Sequence, residues 1–467
     1  MQSQHKMIAR YSWPMALLML VAAAPLRADI DPKLARELYE KLTPSLVVVQ
    51  YTFDGELGRR ELTTAGVVVS DDGLVIVSGS ITPPQIPDEQ MKDFKVIIPG
   101  DEETELDAEF QGRDDRTNLS LVKVKEKRNW TPLKFEDVPL SVGDPVVSIG
   151  LLPKDAGYKP YLTSATVSAL LRGPVPQVLV SGGGLGGVGS PVLTPSGQVV
   201  GVVHTQDQQS PLLNDPRDPM GSVQNPPRFF VPARDFLISL SDPPTPQQPL
   251  VMPHIGVAQL SGLNKEVAEY FGLKNVPAVQ VGDVIPNFPA AKAGIKSGDV
   301  IVKANGQPLD RGDEPDETPQ IMTRKLMRMK PGQTVTFTIL TGKGQPTKDI
   351  PVTLEERPRQ ANKAKRFFAD DLGFTVREIV FEDTYTRRLP ADTKGVVVAL
   401  IKPSSSAQTA KLQMGDLVTR LNQTPVKDLE QFKTQYESFR KDNARDAVVL
   451  EVMRGVSTQI IRIEPPQ

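Results

Sequence analysis

The chain has 467 residues, is 39% hydrophobic and carries a formal net charge of −2. That length implies about three domains. The balanced charge excludes a binding mode built on a basic face, so neither nucleic acid nor an anionic membrane surface is an implied partner. No cysteine is present, which removes disulfides, thiol nucleophiles and thiolate metal sites together.

Residues 1–28 place Lys6 and Arg10 before the short apolar run Met15 to Ala24 and close on Leu26-Arg27-Ala28, a signal-peptide layout with cleavage expected after Ala28. The run is too short to span a bilayer comfortably, so no stable membrane span is expected, retention as an N-terminal tether being the alternative. An exported chain of this size without cysteine fits a bacterial envelope, with periplasmic localisation. Pro32 to Leu42 reads as a helix and Ser45 to Tyr51 as a strand. Apolar runs then follow at Gly66–Val69, Leu74–Val77, Lys95–Ile98, Leu119–Val124, Pro145–Ile149, Leu162–Leu170, Gln177–Val180 and Gln198–Val203. Many short strands at such spacing predict a sandwich or barrel.

Gly184-Leu185-Gly186-Gly187-Val188-Gly189 fits the letters of a dinucleotide-binding turn. That turn needs a helix directly after it, whereas Pro191 and a strand pattern follow. Between Ser241 and Pro253, prolines at 243, 244, 246, 249 and 253 predict a semi-rigid spacer. Acidic clusters at Asp101-Glu102-Glu103-Glu105 and Asp313-Glu314-Asp316-Glu317 lack the calcium-loop spacing and read as solvated loops. No cofactor or metal site is expected.

Downstream lies an internal repeat at an offset of 117 residues. Ile255-Gly256-Val257 meets Leu372-Gly373-Phe374, Ala290 and Ala293 meet Ala407 and Ala410, Gly298-Asp299 meets Gly415-Asp416, Asn305 meets Asn422, and Pro308-Leu309 meets Pro425-Val426. Two copies of one domain are predicted, with helices over Thr318 to Met329 and Leu429 to Arg440.

The segment Gly182 to Leu193 resembles the G-N-S-G-G-P-L nucleophile loop of HtrA/Deg-type serine proteases, with Val188 on the nucleophile. Gly66 to Ile81 resembles the run ending in that family's T-N-x-H-V, with Ser80 on the histidine, and Gly112 to Val122 its aspartate segment, with Asn118 on the aspartate. Each repeat copy resembles a PDZ domain of the HtrA arrangement. The resemblance implies a mainly β, multidomain chain: a chymotrypsin/trypsin-like double β-barrel over 29–241, a Pro-rich linker over 242–253, a first PDZ domain over 254–356, a linker over 357–369 and a second PDZ domain over 370–465.

It further implies trimers, or mixed oligomers with active relatives, and capture of protein C-termini or unfolded envelope proteins through Ile255-Gly256-Val257 and Leu372-Gly373-Phe374, the second copy matching the signature better. A hydroxyl is a weak nucleophile until an imidazole takes its proton. With Ser80, Asn118 and Val188 at the triad positions, a pseudoprotease is expected. The alternative is an active endopeptidase using Ser190 or Ser181 with His204; a purely structural envelope protein is the third reading. His254 borders the first pocket and is expected as a solvated loop histidine, Ser190 and Ser181 as turn residues bonded to nearby backbone.

Overall fold

The computed structural model describes residues 30–56, 58–82, 86–171, 175–204, 228–312 and 315–466. The expected export segment lies outside the described residues. Helix α1 (Pro32–Leu42) matches its expected bounds: Asp31 Oδ1 accepts the Lys33 and Leu34 N–H groups at 2.9 and 3.1 Å, and Leu38 and Leu42 are buried.

Strands β1 (Leu46–Gly55), β2 (Gly58–Val68), β3 (Leu74–Ser78), β4 (Met91–Ile98), β5 (Asp101–Asp114) and β6 (Leu119–Val124) close into a barrel in the order β1-β2-β3-β6-β5-β4. A second closed barrel, β10-β11-β12-β9-β8-β7, is built from β7 (Pro145–Leu151), β8 (Pro160–Leu171), β9 (Gln177–Ser181), β10 (Pro191–Leu193), β11 (Val199–His204) and β12 (Arg228–Pro232). Each barrel has its own apolar filling, around Val49, Val75 and Phe94 in the first and Val167, Val180 and Phe230 in the second. A third cluster joins them: Leu42, Ile76, Leu119, Ile149, Val202 and Phe236 belong to one continuous layer between the barrels. The barrels are thus held face to face, with their cleft residues at fixed separation.

Two elements differ from the sequence expectation. The acidic cluster from Asp101 lies in β5, not in a loop; it follows the Pro99-Gly100 turn, and Glu105, opposite Ile97 on β4, reaches diagonally to Lys95 in an ion pair. Strand β2 begins eight residues earlier than its apolar run, because the exposed stretch Gly58 to Thr63 continues the hairpin with β1 to a tip at Glu56. Short helix α2 (Leu237–Ser241) ends the barrel region, and no helix or strand forms across Asp242 to Met252.

The first repeat copy comprises β13 (Pro253–His254), β14 (Leu260–Gly262), α3 (Lys265–Tyr270), β15 (Val279–Val281), α4 (Pro289–Lys292), β16 (Val300–Ala304), β17 (Gln307–Pro308), α5 (Glu317–Met327), β18 (Thr334–Leu340), β19 (Lys348–Thr353) and β20 (Glu355–Glu356). The second comprises β21 (Arg366–Ala369), β22 (Phe374–Arg377), α6 (Phe381–Thr386), β23 (Val396–Ile401), α7 (Ser406–Thr409), β24 (Leu417–Leu421), β25 (Thr424–Pro425), α8 (Leu429–Asp442), β26 (Val448–Arg454) and β27 (Ser457–Ile463).

The repeat survives as geometry. Gly256 and Gly373 have φ of 80° and 74°, and a Cβ at either would meet the side chain of its counterpart neighbour, Phe288 or Ser405. Asp299 Oδ2 accepts the Lys296 N–H at 2.8 Å and Asp416 Oδ2 the Gln413 N–H at 2.9 Å. Asn305 and Asn422 each accept one backbone N–H, from Thr336 and Val449. Phe288 of the first copy meets Phe381 of the second edge to face, 4.9 Å between centroids.

Candidate functional site

Of the residues aligned with triad positions by resemblance, Ser80 and Asn118 lie at the edge of the first barrel that meets β11 of the second, and Val188 lies in the loop before β10. Gly79 N–H donates to the Asn118 carbonyl at 2.7 Å, which ties the β3 end carrying Ser80 to the turn carrying Asn118. Asn118 adopts φ of 53°, a left-handed conformation that asparagine tolerates well. Across the cleft, the residue that reaches them is His204, at the end of β11. Its Nε2 accepts from Asn118 Nδ2 at 3.1 Å and its Nδ1 lies 3.0 Å from Ser78 Oγ, which lies 2.8 Å from Ser80 Oγ.

A hydroxyl and an imidazole therefore meet here, but in an order opposite to that of a working base. An amide NH₂ can only donate, so with this amide orientation Nε2 is the acceptor and Nδ1 carries the proton. Nδ1–H then donates to Ser78 and takes no proton from it. Ser78 is also fully buried, where a peptide bond in the cleft does not reach.

The nucleophile loop is packed inward. Val188 is half-buried and its carbonyl accepts from Thr64 Oγ1 on β2 at 3.4 Å. In trypsin-like sites the oxyanion is held by the N–H of the nucleophile and of the residue two before it. Here the second of these, Gly186 N–H, donates to Ser148 Oγ at 3.0 Å, and Ser148 in turn donates to the Pro191 carbonyl at 2.9 Å. Ser190 is fully buried and, contrary to the expectation of a loop hydrogen bond, its Oγ has no partner; it packs against Gly186, and only its backbone is bonded, to Gly187 and Val203. Ser181 is exposed at the end of β9, opposite Thr166.

The two peptide-loop sites differ. In the first copy the edge of β14 away from β15 faces α5 across a groove of about 630 Å³, lined by His254, Ile255, Val257, Leu260, Thr323 and Leu326 among others. His254 is half-buried rather than solvated, edge to face with Phe288 at 5.3 Å; burial lowers its pKa below the usual histidine value, Arg357 adds to this and Glu355 opposes it. In the second copy the corresponding edge of β22 is already paired. Strand β21 runs antiparallel along it, Ala369 opposite Phe374 and Phe367 opposite Val376, and packs beside α8. The copy whose loop better fits the peptide signature thus has its groove filled by the chain itself. The filling segment lies upstream of the loop, at Phe367-Phe368-Ala369; the matching Leu250-Val251-Met252 of the first copy is also apolar but forms no strand.

Profiles of known families match these parts: the trypsin-like peptidase domain over residues 64–202, and the PDZ domain over 253–352 and again over 371–464. The chain is similar to a "Probable periplasmic serine endoprotease DegP-like" of Rhizobium meliloti (strain 1021), 26% identical over 84% of this chain and 73% of that protein. A protein of the same description from Bartonella henselae is 28% identical over 85% and 74%. Among solved structures, "HtrA-type protease AlgW with tripeptide" superposes with a TM-score of 0.53 at 19% identity, over 70% of this chain and 98% of that one, a likeness of fold.

Fold and profiles together define a trypsin-like double barrel carrying two PDZ domains. With DegP-like relatives at 26% and 28% identity aligned along most of its length, the chain is similar to HtrA/DegP-type proteins in carrying a trypsin-like peptidase domain followed by two PDZ domains.

Proposed function

We propose that this chain is an exported, proteolytically silent HtrA-type protein that captures C-terminal or unfolded segments of envelope proteins and acts on them as scaffold, chaperone or regulator. The silence rests on reading Ser80, Asn118 and Val188 at the triad positions, and it is supported by His204, held between Asn118 Nδ2 and Ser78 Oγ, whose Nδ1, with the amide in this orientation, donates to the hydroxyl instead of accepting from it. The internal bond from Gly186 to Ser148 and the burial of Ser190 support the same reading. Peptide capture is supported by the open groove beside Ile255-Gly256-Val257, where an extended peptide adds to the β14 edge and its terminal carboxylate faces the loop. Export to the periplasm is supported by the leader layout and by relatives described as periplasmic. Homo-oligomers, trimeric by family resemblance, or mixed oligomers with active relatives are part of the proposal.

The test is direct. The purified mature chain is incubated with an unfolded protein and with a fluorophosphonate serine probe; neither cleavage nor labelling is expected. Turnover that disappears with Ser190→Ala or Ser181→Ala would establish the endopeptidase alternative instead.

A further inference from the structure

The offset of 117 residues pairs Met252 with Ala369, and the two carbonyls do different things. Met252 accepts the Arg357 N–H at 2.8 Å, which joins the segment before the first loop to the end of its domain. Ala369 turns inward and accepts two N–H groups of the second loop, Gly373 at 2.8 Å and Leu372 at 3.3 Å. These are amides that, in a peptide-receiving loop, face a terminal carboxylate.

The match continues along the strand. The Ala369 side chain is buried in the domain core, at the place of a last peptide residue. Phe367, two positions earlier, lies between β22 and α8, its ring 6.2 Å from Phe432 and 5.6 Å from Tyr436. Asp371, in the turn, is held to α8 by Tyr436 Oη at 2.5 Å and by Arg440 at 2.6 Å. From the other side, Glu56 at the β1–β2 tip is buried against the β21–β22 hairpin. Its Oε1 accepts from Thr375 Oγ1 at 3.3 Å and stands 3.6 Å from Arg366 Nη1.

We propose that β21 is an internal ligand of the second PDZ groove, latched by Glu56, and that its sequence reports the ligand this groove takes: a free protein C-terminus ending in a small apolar residue, with an aromatic side chain two positions before it. The proposal rests on reading the PDZ domains as peptide receptors. A neutral carbonyl stands where a carboxylate fits, and a charged acceptor makes the stronger hydrogen bonds. A true C-terminus of that kind therefore competes for the site, while the resident segment has the advantage of its tether.

The probe is the synthetic octapeptide of residues 362–369 with a free carboxylate, its amidated form serving as control, titrated calorimetrically into the full chain. The wild type binds it weakly in the second groove. Glu56→Ala, which leaves the PDZ core untouched, and Phe367→Ser, which empties the pocket, each tighten binding by at least about tenfold, as expected when a closed state no longer dominates. The amidated peptide does not bind.

Because the chain has no cysteine, the pair Phe368→Cys and Thr375→Cys, opposite one another, gives a clean lock: oxidation removes the gained site and reduction restores it. Thr323→Arg, in the first groove, leaves it unchanged. Binding indifferent to the lock overturns the proposal, as does absence of binding to the released variants by a chain whose first groove still takes C-terminal peptides. Failure of both grooves with every C-terminal peptide would instead sink the receptor reading, and amide exchange at residues 366–369 still reports whether Glu56→Ala frees the strand.

Discussion

Asn118 Nδ2 donates to His204 Nε2 at 3.1 Å, so that an amide from the first barrel holds an imidazole from the second. The bond serves to join the two barrels.

His204 is accordingly a stabilising residue. His204→Ala leaves Ser78 and Asn118 with lost partners in a buried site and is expected to lower unfolding free energy by about 1–3 kcal/mol, read by denaturant unfolding. Fluorophosphonate labelling stays absent in both chains.

Rebuilding the triad should not suffice. The variant Ser80→His, Asn118→Asp, Val188→Ser supplies nucleophile, base and carboxylate, but the Gly186 N–H still donates to Ser148. Adding Ser148→Ala frees that amide, and kcat for an unfolded substrate is expected to rise by about 10²–10³ over the triple variant, the usual worth of one oxyanion donor. Equal rates in the two variants would refute the role given to Ser148.

The first PDZ domain should lose stability in mild acid. Burial, then the charge of Arg357, lowers the His254 pKa from its ordinary 6.5, against the pull of Glu355. Protons therefore bind the unfolded chain more readily. The domain keeps its full stability above the ordinary histidine value and loses it as pH falls from there toward the lowered folded value. Thermal unfolding followed from about pH 8 to about pH 5 should show the decline, and His254→Gln should flatten it; a His254 resonance titrating above 6.5 would contradict it.

The docking of the first PDZ domain on the barrel end should loosen with Arg328. Its guanidinium pairs with the buried Asp235 carboxylate, and Lys330 reaches Asp242 at 3.1 Å nearby. Since Arg328 is itself part-exposed, Arg328→Ala is expected to cost only about 1 kcal/mol, but to raise the rate at which an added protease cuts the Pro-rich segment 242–253.

Much of this architecture was legible in the sequence because it rests on local signals. The helix at Pro32 announces itself by Asp31 and a first-turn proline, and the repeat by glycines and asparagines whose backbone angles few other residues accept. Ser80, Asn118 and Val188 align with triad positions through the resemblance of the runs around them to family motifs, not through any pattern of spacing. Three features could not be read. That Ser190 would be buried without a partner depends on the packing of Gly186 against it. That His204 would lie between Asn118 and Ser78 depends on two barrels meeting, a contact that no local pattern encodes. That Phe367 would turn back along β22, when Leu250 at the matching position does not, was hidden because an apolar triplet before a loop reads equally well as linker.

The turn between Ala369 and Phe374 spans only four residues, which sets how the second groove responds to its surroundings. A tether so short keeps the segment at an effective concentration of about millimolar or above at its own site, and this figure does not change when the protein is diluted, overproduced or assembled. On the proposed reading, and with the Glu56 latch in place, the abundance of outside chain ends sets the competition. The groove is therefore tuned to a flood of exposed termini and stays indifferent to a trickle.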